Sequence, residues 1–149
     1  MKNRWFVWLL FAILSVSLAA CGTPRKSAFS PRAKFGATHE SYLNLLRWRE
    51  FRSAAVYYTE PRREKYLSKV QDVEEFQVTE AELVKTDYLE ETREMDTEVV
   101  VKYYLLSSPR VRSLELKQRW AYFPGSGFES GQWFITTPFT GFPVDSDSP

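Results

Sequence analysis

Cysteine occurs once in this chain of 149 residues, at position 21, and histidine once, at position 39. A lone cysteine excludes an internal disulfide, so the folded body is held by packing alone. With one histidine and no cysteine beyond position 21, the body lacks the ligands that a soft-metal site needs, and no metal or cofactor is expected. Glycine is scarce, at 6 residues, and no phosphate-binding glycine loop occurs. A nucleophile elbow is missing, and no base stands beside a candidate nucleophile, so no catalytic residue is assigned. Net charge is only +1. Without Lys2 and Arg4, the 20 basic residues fall just below the 19 acidic ones. A nucleic-acid partner is therefore not expected, because phosphate neutralisation needs a clustered basic surface. His39 lies near a helix start and is expected at the surface.

Apolar residues are plentiful. They make up 44% of the chain, with aromatics at 16%, which supports a real core and argues against disorder. At the N-terminus, Lys2 and Arg4 precede an uncharged run from Trp5 to Ala20. Phe6, Val7, Leu9, Leu10, Phe11, Ile13 and Leu14 form its apolar centre. A positive start, an apolar middle and a small-residue end predict a secretory signal peptide over residues 1–20.

The run ends in Leu18-Ala19-Ala20-Cys21, which resembles the lipobox of bacterial lipoproteins. The resemblance implies cleavage between Ala20 and Cys21, an S-diacylglycerol on Cys21 and N-acylation of its new amino group. Each buried methylene contributes roughly 0.8 kcal/mol, so two or three chains anchor stably where one holds only marginally. A competing reading is an uncleaved anchor, because Trp5 to Pro24 would span about 30 Å as a helix. The weakly apolar second half (Ser15, Ser17, Ala19, Ala20, Gly22) and the placement of the cysteine favour the lipoprotein. Gly22 follows the cysteine where an enterobacterial-type inner-membrane signal would have Asp. The resemblance therefore implies an outer-membrane anchor facing the periplasm in a diderm cell. In other envelopes it implies the outer face of the cytoplasmic membrane.

Residues 21–37 read as a lipidated tether. Pro24, Pro31 and Gly36 are mixed with Arg25, Lys26, Arg32 and Lys34. This composition suits an extended, solubilising linker, with contact to anionic lipid as the alternative. Residues 140–149 read as a flexible tail rich in Pro, Asp and Ser.

The body, residues 38–139, reads as α+β. Tyr42, Leu45 and Leu46 form one helical stripe; Trp48, Phe51, Ala54, Ala55 and Tyr58 form another, nearly opposite. One straight helix cannot bury both, so a break is expected near Arg47–Glu50. Thr59 and Pro61 then open a helix burying Tyr66, Leu67 and Val70. Arg47, Arg49, Arg52, Arg62 and Arg63 read as a solvated basic face. From Phe76 the period becomes two. Met95, Thr97, Val99, Val101, Tyr103 and Leu105 share one strand face, and the upper half of this strand is apolar on both faces, as if covered on both sides. Leu114, Leu116, Gln118, Trp120 and Tyr122 share a face of the next strand, and Gln132–Thr137 closes the sheet. Phe76 and Val78 change phase with Ala81 and Leu83, which predicts a bulge at Thr79-Glu80. Glu90, Glu91, Glu94, Asp96 and Glu98 crowd the hairpin turn and read as a solvated turn, since the calcium-loop order is missing.

The expected architecture is N-terminal helices packed on a bent four-stranded antiparallel sheet, preceded by a signal peptide and flexible tether. It resembles the nuclear-transport-factor-2-like (cystatin-like) superfamily. The similarity rests on Leu46-Arg47-Trp48-Arg49-Glu50-Phe51 with Ala54-Ala55, on Pro61 to Leu67, and on Gly131-Gln132-Trp133-Phe134-Ile135 with Pro138-Phe139. The His/Asp pocket pairs of the superfamily's enzymes are not identifiable here. The leading expectation is a membrane-anchored, non-catalytic module that binds an envelope protein or forms a homodimer. A small apolar ligand in the helix–sheet cavity is the alternative, and an isomerase or dehydratase is the third reading. A filled cavity with exposed aromatics would favour the protein partner. An ionisable group in a closed pocket would favour the enzyme.

Overall fold

Pro31 opens the first helix, α1, which spans Pro31–Arg47. Proline suits this position because its missing N–H is one that a helix start leaves unpaired anyway. A computed structural model describes residues 30–126 and 130–143. The expected signal peptide, Ala20, Cys21 and the expected tether up to residue 29 lie outside the described residues, as does the chain beyond 143. The chain divides into two units at Ser30/Pro31, and the helices and strands described all belong to the second, Pro31–Pro149. Residues 31–37, expected as tether, are therefore helical. Pro and Gly content hid a buried face on which Phe35 and His39 continue the row of Tyr42, Leu43 and Leu46.

The expected break is present, and its chemistry is local. Arg49 adopts φ +60°, its N–H donates to Leu46 O, and the Glu50 N–H donates back to Leu45 O. This pair of bonds is the Schellman stop, which more often uses glycine at the left-handed residue. Trp48 falls on the turn and is 77% exposed, so it does not join the second stripe. Phe51, Ala54, Ala55 and Tyr58 of that stripe are buried. They lie on helix α2 (Phe51–Ala54) and the 3₁₀ turn Ala55–Tyr57 with its flanking residue. Helix α3, Glu60–Lys69, starts with Arg62 and Arg63 N–H groups donating to the Thr59 carbonyl; the Thr59 hydroxyl makes no capping bond.

Four antiparallel strands come next in the order β1-β2-β3-β4: Phe76–Leu89, Glu94–Leu105, Ser108–Phe123 and Gln132–Ile135. The fold is thus α+β, with the helices N-terminal to the sheet. Along β2 the burial alternates as the sequence demands, with Met95, Thr97, Val99, Val101, Tyr103 and Leu105 all buried. Val100 and Tyr104 on the other face are only half-buried and Lys102 is exposed, so one face is covered and not two. Register shifts occur between Val78 and Glu80, as expected, and again between Leu83 and Lys85. The residue skipped at the second, Val84, is 52% exposed. Helix α1 guards this sheet edge: Arg47 Nε and Nη2 donate to Ala81 O at 3.0 and 2.7 Å. Such cover blocks pairing with a further strand.

Beyond β4 the chain returns to the core. Phe142 is buried against Phe51, Phe76 and Phe139, at ring distances of 4.6, 4.4 and 5.0 Å. Residues 140–143, expected as the start of a flexible tail, are therefore held against the core; the polar composition around Phe142 concealed one apolar anchor. Gly131 is needed for space. A Cβ there would lie 2.4 Å from Tyr122 Oη and 2.6 Å from the Phe123 carbonyl oxygen.

Candidate functional site

The interior between α1 and the sheet is filled by rings. Trp120, fully buried, meets Phe35, His39, Tyr42 and Tyr57 at centroid distances of 5.6, 5.5, 5.4 and 6.0 Å. His39 is 2% exposed, which corrects its expected surface position. The reason is the earlier helix start, which places His39 one turn after Phe35 on the inward face. Burial, opposed by the nearby Glu40 carboxylate and aided by Arg47, lowers its pKa from 6.5 to about 4. The imidazole is therefore neutral near pH 7, and its Nε2 has no hydrogen-bond partner.

The remaining interior polarity is uncharged. Gln118 Nε2 donates to Tyr42 Oη at 2.7 Å, and the Tyr58 hydroxyl interacts with both. Burial raises the pKa values of Tyr42, Tyr58 and Tyr66 above that of an ordinary phenol. Among the described residues the buried polar side chains are His39, Thr97 and Gln118. A neutral imidazole enclosed by rings, with no carboxylate beside it in the interior, is poorly placed for general acid–base work.

Among the described residues, charge is confined to the outside. Asp96 and Arg119 form a two-point ion pair at 2.7 and 2.9 Å on the outer sheet face, and the guanidinium holds the Asp96 carboxyl below the usual carboxylate range. Exposed pairs of this kind contribute little to stability, because water screens them. No group of three metal-ligating side chains occurs among the described residues, and Glu90 and Glu91 are exposed on their turn. The supposed basic face is largely spent on the fold. Arg47 binds Glu40 and Ala81 O, Arg49 binds Gln77, and Arg63 binds Glu60 and the Ala55 and Tyr58 carbonyls.

Apolar side chains are also left open around Val56 and Phe123. Val56 is 57% and Phe123 45% exposed. The Phe123 ring meets half-buried Phe134 edge-on at 5.5 Å. Beside them runs a groove of about 540 Å³ whose walls include Lys34, Ser41, Val56, Tyr57, Trp133 and Phe134. A second depression of about 490 Å³, which includes Phe123, Pro124, Gln132 and Phe134, shares that wall. Aromatics crowd the sequence between Trp120 and Phe139. Composition does not tell which of these rings remain outside, because β4 is only four residues long and its outward positions depend on pairing with β3. No helix among the described residues is long and apolar enough to cross a membrane. No family model, curated protein or solved structure matches this chain.

Proposed function

We propose that this chain is a bacterial envelope lipoprotein, tethered through a lipidated Cys21, whose domain binds a protein partner through the surface around Val56, Phe123 and Phe134. The observation that carries the reading is the pairing of a ring-filled interior with an exposed Phe123–Phe134 contact. An apolar surface left in water beside a packed core is a usual mark of a protein contact. Aromatic residues are also the common anchors of such contacts. The buried, neutral His39 weighs against the isomerase reading, and the filled interior weighs against an apolar ligand held there. Helices before a meander sheet, with two bulges in β1, support a bent sheet and a nuclear-transport-factor-2-like domain. The lipobox and the uncharged leader support export and anchoring. The partner is then another envelope protein or a second copy of the chain, met at the periplasmic face of the outer membrane in a diderm cell.

Photo-cross-linking in intact cells tests the surface. A benzophenone amino acid at Phe134 is expected to give a discrete product that the same probe at exposed Glu64 on α3 does not give. Adding Val56→Ser and Phe123→Ser should reduce that product roughly tenfold or more, the scale for loss of apolar anchors. The product's mass separates a homodimer from another protein. No product at Phe134, or equal products at Phe134 and Glu64, would remove the basis of the assignment.

A further inference from the structure

Strand β4 pairs with β3 only along Trp120–Phe123. The β3 edge before Arg119 is left to face the returning segment 137–140. Between them lies a depression of about 280 Å³ whose walls include Tyr58, Leu116, Gln118, Thr137 and Phe139. Gln118 is only 6% exposed. Its amide nitrogen is engaged by Tyr42, but its Oε1 is buried with no hydrogen-bond partner in the protein. The Tyr66 hydroxyl is in the same condition, and its ring backs the wall, stacked on Tyr58 at 4.3 Å and packed against Phe139 at 4.9 Å. Buried polar atoms in native proteins nearly always find a partner. An unpaired acceptor on a residue that lines a depression, with an unpaired hydroxyl on a ring stacked against another lining residue, points to a guest that supplies a donor.

The walls define that guest. Half-buried Phe139 and exposed Pro138 offer apolar surface, which favours a flat apolar body. Exposed Glu115 and Lys117 at the depression carry opposite charges, so neither sign of ion is preferred. The volume lies just below the usual range for drug-sized ligands and suits a single-ring molecule, not a diacyl lipid. We infer that this depression binds a small neutral molecule with a flat ring and one O–H or N–H donor, the donor reaching Gln118 Oε1. The site is separate from the Val56–Phe123–Phe134 surface and stands whether or not that surface binds a protein.

Phenol is the probe, and anisole is its counterpart without a donor. Each is titrated into the full chain in detergent while the Gln118 side-chain amide and Thr137 backbone amide are followed by NMR. Both resonances should shift saturably, with phenol binding roughly tenfold more tightly than anisole, the scale of one hydrogen bond to a buried acceptor. In Gln118→Met the preference for phenol should vanish. If that variant does not fold by circular dichroism, Thr137→Trp, which fills the mouth, should abolish both shifts. Absence of a saturable shift, equal affinity for the two probes in the native chain, or a preference kept by folded Gln118→Met would each overturn the inference. So would shifts kept by folded Thr137→Trp.

Discussion

Replacing Trp120 with alanine should lower the unfolding free energy by about 3–5 kcal/mol, the range for deleting a large buried ring. Trp120 is fully buried, and Phe35, His39, Tyr42 and Tyr57 all rest on it. Its loss removes the common contact of α1, the 3₁₀ turn and β3. Against a typical stability of about 5–15 kcal/mol, this is enough to unfold a marginal domain. Trp48→Ala is the control. At 77% exposed, its truncation should change stability by only about 0.5 kcal/mol. Urea unfolding followed by circular dichroism measures both. Equal effects of the two substitutions would contradict the placement of Trp120 at the centre of the core.

Acidification should weaken the fold through His39. Its pKa is about 4 in the folded chain against 6.5 for the ordinary group, chiefly because of burial. Between these values the unfolded chain holds the proton and the folded chain does not, so stability rises with pH. The His39 contribution is complete above about pH 6.5, falls as the pH drops and is exhausted below about pH 4. At about 1.4 kcal/mol per pH unit, the fall from pH 7 to pH 5 is on the order of 2 kcal/mol. His39→Phe removes the titration, so its stability should change less over this interval by about that amount. Carboxylates on the outer face contribute equally to both chains and cancel in the comparison. Urea midpoints of the two proteins that shift in parallel from pH 7 to pH 5 would show that His39 is not held neutral by burial.

His39 also marks the point where local periodicity stops being informative. Period-two burial along β2 was legible because Met95 to Leu105 alternate without interruption, and the Thr79 bulge followed from a phase change between Val78 and Ala81. The helix break was legible too, since Leu46 and Phe51 belong to stripes that no straight helix can bury together. The inward position of His39 instead depends on α1 starting at Pro31, in a stretch whose Pro, Gly and Lys content suggests a linker. Phe142 is a single ring in a polar tail, and only the return of the chain to Phe51 and Phe76 decides its burial. The second bulge, beside Val84, was not legible, because the polar run Lys85-Thr86-Asp87 leaves few apolar residues to mark the change of phase. In the candidate sites the same limit applies. Gln118 could be placed on the inward face of β3, but its unpaired Oε1 depends on Tyr42, seventy-six positions away in sequence. The exposed pairing of Phe123 with Phe134 depends on the register of β3 with β4.

The proposed lipid anchor and the proposed surface contact lie in one chain, and Cys21 is the residue on which the proposed location turns. Metabolic labelling with radioactive palmitate, in bacterial cells expressing the native chain or Cys21→Ser, tests this most directly. The native chain should carry label in the membrane fraction and lack residues 1–20, whereas Cys21→Ser should carry no label and be either unprocessed or released. A native chain without label, or a Cys21→Ser chain labelled and processed as before, would contradict the lipoprotein assignment.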